Sequence, residues 1–473
     1  MKDTFNEQII NEANLLESEI WDMACKVWSL SELSLEEEKS SALEAKYLEN
    51  NGFVISDHGV GGIDYSWVAT WGNGKPVIGF TVEFDALPGL GYEPVAQKTN
   101  RKDGNSNGHG CGHNLIGAGA ICAAVALKRH LEKNNINATI KVFGCPAEEI
   151  ATGKNFMARA GIFDDLDVCL HWHPLNITTV FNVATPAIAN IRVEFYGKNS
   201  HSGLAPWLGR SAAHASEIFV HGINAMREHL LPEARVHYVV ETSGTAVNVV
   251  SDYARINIFY RGPNAENVVK YVDWISDIAK GAALVTQTKE KFTNLAGMYD
   301  LLPNQTLADH MMQHLLKLGT PEWSVEEQEF AKSMQKSGGY NEDGLATEIS
   351  PDPKGKAVGG GTDVGDISYI TPTMGVAVSC WPLGYTPHTW AATACNGMSI
   401  GKKGMMRAAE ILALTGLNLV TDPDLLKAAQ NEFIQRTGGK KYKSLCESDV
   451  PPLAAEHAHH AHSHDEWMNQ AAQ

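Results

Sequence analysis

Two hydrophobic periods alternate along the first part of the chain. MKDTFNEQIINEANLLESEIWDMACKVW and SLEEEKSSALEAKYLENNG repeat apolar residues at helical spacing, the second closed by a glycine. SWVATWGNG and KPVIGFTVEFDALPG then read as strands, NLIGAGAICAAVALKRHLEK as a helix with Asn114 as its N-cap, and TIKVFGCPAEE and LDVCLHWHP as two further strands. Nearly continuous apolar strands separated by helices predict an α/β fold, a mostly parallel sheet with flanking helices. In such sheets ligands gather at the carboxyl ends of the strands.

From residue 187 to 302 the texture changes to strand, helix, strand, strand, helix, strand, the order of a split βαβ sandwich. This stretch reads as an inserted second domain. The main domain then occupies residues 1–186 and resumes over 303–440, where LPNQTLADHMMQHLLKLG returns to helical spacing. KSGGYNEDGLATEISPDPKGKAVGGGTD, rich in Gly, Asp and Pro, is expected as a long loop. Residues 441–473 are expected as a disordered tail, with five histidines between 457 and 464.

Composition narrows the function. The 473 residues carry a formal charge of −17, which discourages binding to nucleic acid or anionic membranes. No run reaches the roughly 20 apolar residues of a membrane helix. The charged, heptad-like start lacks the pattern of a secretion signal, so the expected location is cytoplasmic. Eight cysteines without a CxxC pair argue against a disulfide framework or a zinc ribbon and for buried thiols.

The densest chemistry lies in NGHGCGHN, residues 107–114, where His109, Cys111 and His113 stand at alternate positions. The strand-end rule adds Glu83 and Asp85, Glu148 and Glu149, His171 and His173, and His388 from other segments. Cys111, His113, Glu149, His173 and His388 supply enough ligand atoms for two cations sharing a bridging water. Cys111 precedes a helix, whose dipole together with a cation would favour the thiolate. Adjacent glutamates on an extended backbone point apart, so one of the pair can ligate while the other serves as general base. Asp85 suits the task of fixing the tautomer of a ligating imidazole, with Glu83, His109 and His171 as weaker candidates for such support. The sequence has no G-x-S-x-G, H-E-x-x-H or P-loop motif, and the glycines and histidines around Cys111 fit metal enclosure better than a thiol nucleophile.

EFDALPGLG, NGHGCGHNLIG, GCPAEE, HWHP, GKNSHSG and TPHTW follow in an order and spacing that resembles the aminoacylase and hippurate-hydrolase-like metallopeptidases. ARVHYVVETSGTAVNVV, LPNQTL and GTDVGDISY look most like the subgroup that hydrolyses p-aminobenzoyl-glutamate. The resemblance implies a di-metal exopeptidase-like domain with an inserted ferredoxin-like dimerisation or lid domain. It implies Cys111, His113, Glu149, His173 and His388 as ligands to two divalent ions, zinc or manganese, and Glu148 as catalytic base. The family more often places the third ligand where His171 stands; the subgroup has it directly before the proline, at His173. By the same resemblance, His201 reaches a partner's site across a dimer interface, and Asn248 and Arg261 contact substrate, the arginine suiting a carboxylate. Ile150 and Ala151 depart from the glycines usual after the glutamate pair. The expected reaction is hydrolysis of an N-acyl or N-aroyl amino acid, p-aminobenzoyl-glutamate first, by a homodimer or a heterodimer with a homologous subunit. A dipeptidase or aminoacylase of other specificity, or a subunit that completes a homologous chain's site, are the alternatives. Trp172, Trp207, Trp381 and Trp390 are candidates to flank an aromatic acyl group.

Overall fold

The computed structural model describes residues 2–454, so the histidine-rich stretch expected as a disordered tail lies outside the described residues. The described residues form two compact units, one of residues 2–184, 302–356 and 367–442, the other of 185–301, 357–366 and 443–454. In chain order the strands of the two main sheets are Val54–His58 (β1), Trp67–Gly72 (β2), Val77–Val82 (β3), Thr139–Gly144 (β4), Val168–Leu175 (β5), Thr179–Val180 (β6), Ala187–Tyr196 (β7), Arg235–Thr242 (β8), Tyr253–Gly262 (β9), Lys289–Met298 (β10) and Thr373–Ser379 (β11).

The first unit is built on a seven-stranded sheet of order β1-β2-β4-β3-β5-β11-β6. Its centre is parallel, with β3 against β4 and β5, and β5 against β11. The β1/β2, β2/β4 and β11/β6 pairs are antiparallel, so the sheet is mixed rather than mostly parallel. The physical reason is connection length: β1 reaches β2, and β5 reaches β6, through links too short for the crossover that a parallel neighbour requires. The central strands are buried along their length, as their unbroken apolar runs require.

Helices Lys2–Leu15 (α1), Glu17–Leu30 (α2), Glu38–Asn50 (α3), His113–Asn134 (α4) and Ser399–Thr421 (α7) belong to this unit. The first predicted helix is thus two helices, interrupted at Leu16. α4 and α7 pack on each other and on the sheet. α4 starts at His113, behind Gly112 in the left-handed region at φ 85°, and not behind Asn114. Asn114 sits inside the first turn and donates its amide hydrogens to the Ala24 and Asn396 carbonyls. A side chain at Gly112 would be strained and would also meet Pro174 Cγ at 2.6 Å.

The second unit runs β7, Ala212–Arg227 (α5), β8, β9, Ala265–Thr286 (α6), β10. Its antiparallel sheet has the order β10-β7-β9-β8. Ile191, Val193 and Phe195 of β7 and Ile256 and Ile258 of β9 share a core with Phe219 of α5 and Ile275 of α6. Ser211 and Asn264 cap the two helices by accepting from the backbone N–H groups of His214 and Asn267. Residues 443–446, expected as the beginning of the tail, are instead packed: Leu445 lies against this core and the buried Cys446 donates to the Gly297 carbonyl at 3.3 Å. Among the described residues no helix is long and apolar enough to cross a membrane.

α4 owes its close approach to the sheet to small residues. A Cβ at Gly119 would lie 2.9 Å from Nε1 of Trp172, the residue between His171 and His173 on β5. Gly119→Val is expected to destabilise the fold by roughly 1–3 kcal/mol through overpacking. Urea denaturation checks this, and an unchanged midpoint would show that the helix has room to move.

Candidate metal centre

The parallel strands of the first unit deliver their polar residues to one end. Glu83 and Asp85 follow β3, Glu148 and Glu149 follow β4, His171 and His173 lie near the end of β5, and His388 follows β11. Cys111 and His113 come in at the start of α4. Ligand atoms of Cys111, His113 and His173 lie within 4.8 Å of one another, as do those of Cys111, Glu149 and His388, and those of His113, Glu148 and Glu149. These overlapping triplets unite all five expected ligands with Glu148.

Each imidazole of the cluster is held in its own way. His113 donates Nδ1–H to Asp85 Oδ1 at 2.8 Å, which turns Nε2 toward Glu83, Glu148 and Glu149 at 3.4, 3.8 and 3.8 Å. His173 donates Nδ1–H to the Pro174 carbonyl at 2.7 Å and brings Nε2 to 3.3 Å from Cys111 Sγ. His388 Nε2 stands 3.3 Å from Glu149 Oε2, with its side chain 54% exposed, and forms the open side of the cluster. His171 shares the face of β5 used by His173 but falls short of the cluster. It packs edge-on against Phe181 with ring centroids 5.4 Å apart, and burial pushes its pKa down to about 3. His109 turns away to the Val27 carbonyl at 3.1 Å and supports the backbone of α2 rather than a ligand.

The glutamate pair sits on a short 3₁₀ turn, Glu148–Ile150, between Ala147 at φ 59° and Ala151 at φ 55°. A left-handed non-glycine residue costs on the order of 1–3 kcal/mol and persists only where its surroundings hold it. Asp85 Oδ2 does part of the holding by accepting the Glu149 N–H at 3.0 Å. The pattern of residues gave no sign of Lys154. It is fully buried and places Nζ 2.6 Å from Glu83 Oε1, so Glu83 is ion-paired as well as facing His113.

The donor set fits a cation. His113 Nε2 and Glu149 Oε1 are buried without a hydrogen-bond partner, and both face the cluster, where a divalent ion would satisfy them. Before an ion binds, the helix start does not suffice to make Cys111 a thiolate: burial, then the charge of Glu149, push the thiol well up. Burial also works against a charged His113, but Asp85 and Cys111 outweigh it and hold the imidazolium well above its ordinary range. Burial would raise Asp85; the charge and hydrogen bond of His113 and the donors Glu149 N–H and Ser34 more than offset it and bring Asp85 down to about 2.

His201, Asn248 and Arg261 belong to the second unit. His201 is exposed, and its Nδ1 accepts the N–H groups of Gly203 and Leu204 at 3.2 and 3.1 Å. Since a backbone N–H can only donate, Nδ1 serves as an acceptor and Nε2 is the ring nitrogen left to donate. The neighbouring Ser202 N–H donates to the carbonyl of Asn248 at 3.0 Å. Arg261 is half-buried, its guanidinium 5.3 Å from the Phe259 ring centre. Of the four tryptophans, Trp172 and Trp381 are core residues, with Trp172 donating to the Ile116 carbonyl at 3.0 Å. Trp207 is exposed in the second unit, and Trp390 packs edge-on against Tyr385 in the first.

Residues 79–389 match the model of Peptidase family M20/M25/M40. The chain is 37% identical to one of the named subunits of the p-aminobenzoyl-glutamate hydrolase of Escherichia coli (strain K12), over 91% of this chain and 95% of that one. It is 27% identical to the Xaa-Arg dipeptidase of Mus musculus, over 86% and 87% of the two chains. The crystal structure of a dinuclear metal-binding peptidase of the M20 family from Bacillus subtilis shares the fold at a TM-score of 0.54 and 18% identity, covering 86% of this chain and 99% of that one.

If Cys111 and His113 ligate a cation, through the thiolate and a free Nε2, loading must displace protons from groups whose pKa values are raised. Apparent zinc affinity is therefore expected to climb with pH by roughly tenfold per pH unit for each proton displaced. Competition with a chromophoric chelator across neutral pH measures this. A pH-independent affinity would exclude the thiolate from the site.

Proposed function

The chain belongs to peptidase family M20/M25/M40 and is a metal-dependent amidohydrolase, and from that premise we propose that it cleaves N-aroyl amino acids, with p-aminobenzoyl-glutamate the preferred substrate. The carrying observation is the convergence of Cys111, His113, Glu149, His173 and His388, with Glu148 beside them. These five residues would hold two divalent cations, zinc or manganese, the thiolate favouring zinc. Bound there, the cations would polarise the scissile carbonyl and acidify the attacking water.

The chain's own groups supply the rest. Glu148 takes the proton of the water and passes it to the departing glutamate nitrogen as the C–N bond breaks, leaving p-aminobenzoate and glutamate. Asp85 keeps His113 in the tautomer that frees Nε2 for ligation. Arg261 pairs with a substrate carboxylate and Asn248 contacts the substrate beside it. His201 offers Nε2–H to the developing oxyanion of a partner chain's site, in keeping with an Nδ1 that is taken up as an acceptor. The second unit thus acts as a dimerisation and lid domain, in a homodimer or with a homologous subunit. Two of the relatives are named as different subunits of one Escherichia coli hydrolase, which supports the second arrangement. The similarity to a dipeptidase favours a second reading, cleavage of a dipeptide.

A substrate panel on metal-loaded protein separates the two. p-Aminobenzoyl-glutamate is expected to turn over faster than any aliphatic dipeptide, and Glu148→Gln to keep its metal while losing about 10²- to 10⁴-fold in kcat. Faster dipeptide hydrolysis would overturn the specificity, and metal loss in Glu148→Gln with retention in Glu149→Gln would exchange the roles of the pair.

For the dimer, His201→Ala and Glu148→Ala, each nearly inactive, are expected to recover part of their activity when mixed and allowed to exchange subunits. One site of the mixed dimer then has both groups. No recovery despite demonstrated exchange would reject the role of His201 across the interface.

A further inference from the structure

The loop joining α2 to α3, residues 31–37, precedes the stretch that matches the family, yet it touches two of the segments that carry the centre. Leu33 forms a parallel bridge with Ala86, whose N–H donates to the Glu32 carbonyl at 2.8 Å. Ser34 Oγ donates to Asp85 Oδ2 at 2.8 Å. Glu37 is fully buried, and its Oε1 accepts the N–H of Ala147 at 2.7 Å. The loop is itself pinned at the start of α3, where the Glu32 carboxylate accepts from the N–H and hydroxyl of Ser40, each at 2.7 Å.

A buried carboxyl is costly unless it satisfies something. Glu37 satisfies the amide of Ala147, the left-handed residue that opens the turn carrying Glu148 and Glu149, while its other oxygen has no hydrogen-bond partner. An apolar side chain would fill the space equally well but would leave that amide buried and unpaired. We propose that Glu37 is a positioning residue that holds the strained turn at Ala147 and thereby aims Glu148 at the reacting water, with Ser34 steadying Asp85 from the same loop. The inference rests on reading Glu148 as the base.

The test uses the full-length, zinc-loaded protein and p-aminobenzoyl-glutamate. Glu37→Met removes the acceptor at similar volume, and Glu37→Gln keeps an acceptor oxygen. Glu37→Met is expected to lower kcat by about 10- to 100-fold, the scale of a small misplacement of a reacting group, with KM within about twofold and metal content unchanged. Glu37→Gln is expected to stay within about threefold of the unmodified protein. Hydrogen exchange of a peptide spanning 145–152 is expected to quicken in Glu37→Met and not in Glu37→Gln. An unchanged kcat in Glu37→Met, equal losses in both variants, or a matching loss of metal would overturn the proposal. Should Glu37→Met fail to fold, Glu37→Asp, which withdraws the acceptor by one methylene, replaces it with the same expectations. If the unmodified protein hydrolyses no amide, the reading of Glu148 fails, and the exchange arm still decides: equal exchange in Glu37→Met and the unmodified protein rejects the role of Glu37.

Discussion

The carboxylate of Asp85 is the joint on which the centre turns. It accepts hydrogen bonds from three segments distant in sequence: Ser34 Oγ at 2.8 Å, His113 Nδ1 at 2.8 Å and the Glu149 N–H at 3.0 Å. One fully buried anion thereby fixes the loop before α3, the start of α4 and the turn after β4. Inside the protein such bonds are stronger than in water, and each donor would be left unpaired without the carboxylate. The tautomer of His113, and so the direction in which its Nε2 faces the cluster, follows from this joint.

The remainder of the centre follows from sheet topology and local strain. Parallel strands β4, β3, β5 and β11 all finish on one side, so residues more than 200 positions apart in sequence meet there, with Cys111 arriving at the end of the irregular stretch 83–112. The backbone is then bent to bring the side chains in. Ala147, Ala151 and His388 adopt left-handed conformations that their side chains disfavour. Such a concentration of strain and partnerless buried ligand atoms would be a liability in a purely structural corner, and it fits a place that a cation completes.

Much of this was legible in the sequence because it depends on motifs and element periods. The alternate spacing of HGCGH and the strand-end rule pick out the segments whose side chains converge, and the strand and helix order from 187 to 302 is that of the second unit's sheet and helices. Other features escaped for physical reasons. His171 and His173 lie on the same face of β5, so a period of two cannot separate them; the Pro174 carbonyl and Cys111 do. Asn114 has the chemistry of a cap, but the left-handed Gly112 starts the helix one residue before it. Trp172 and Trp381 are indistinguishable in sequence from substrate-facing aromatics, and close packing claims both. Lys154 and Glu37 carry ordinary surface side chains whose complete burial depends on partners far away in the chain.

Anomalous diffraction from crystals of the full chain grown with zinc tests the central claim most directly. Two peaks per chain are expected, ligated at about 2.0–2.3 Å by atoms of Cys111, His113, Glu149, His173 and His388, with Glu148 adjacent but unligated. Peaks confined to the histidine-rich C-terminal stretch, or ions that leave Cys111 and His113 out of their coordination, would contradict it.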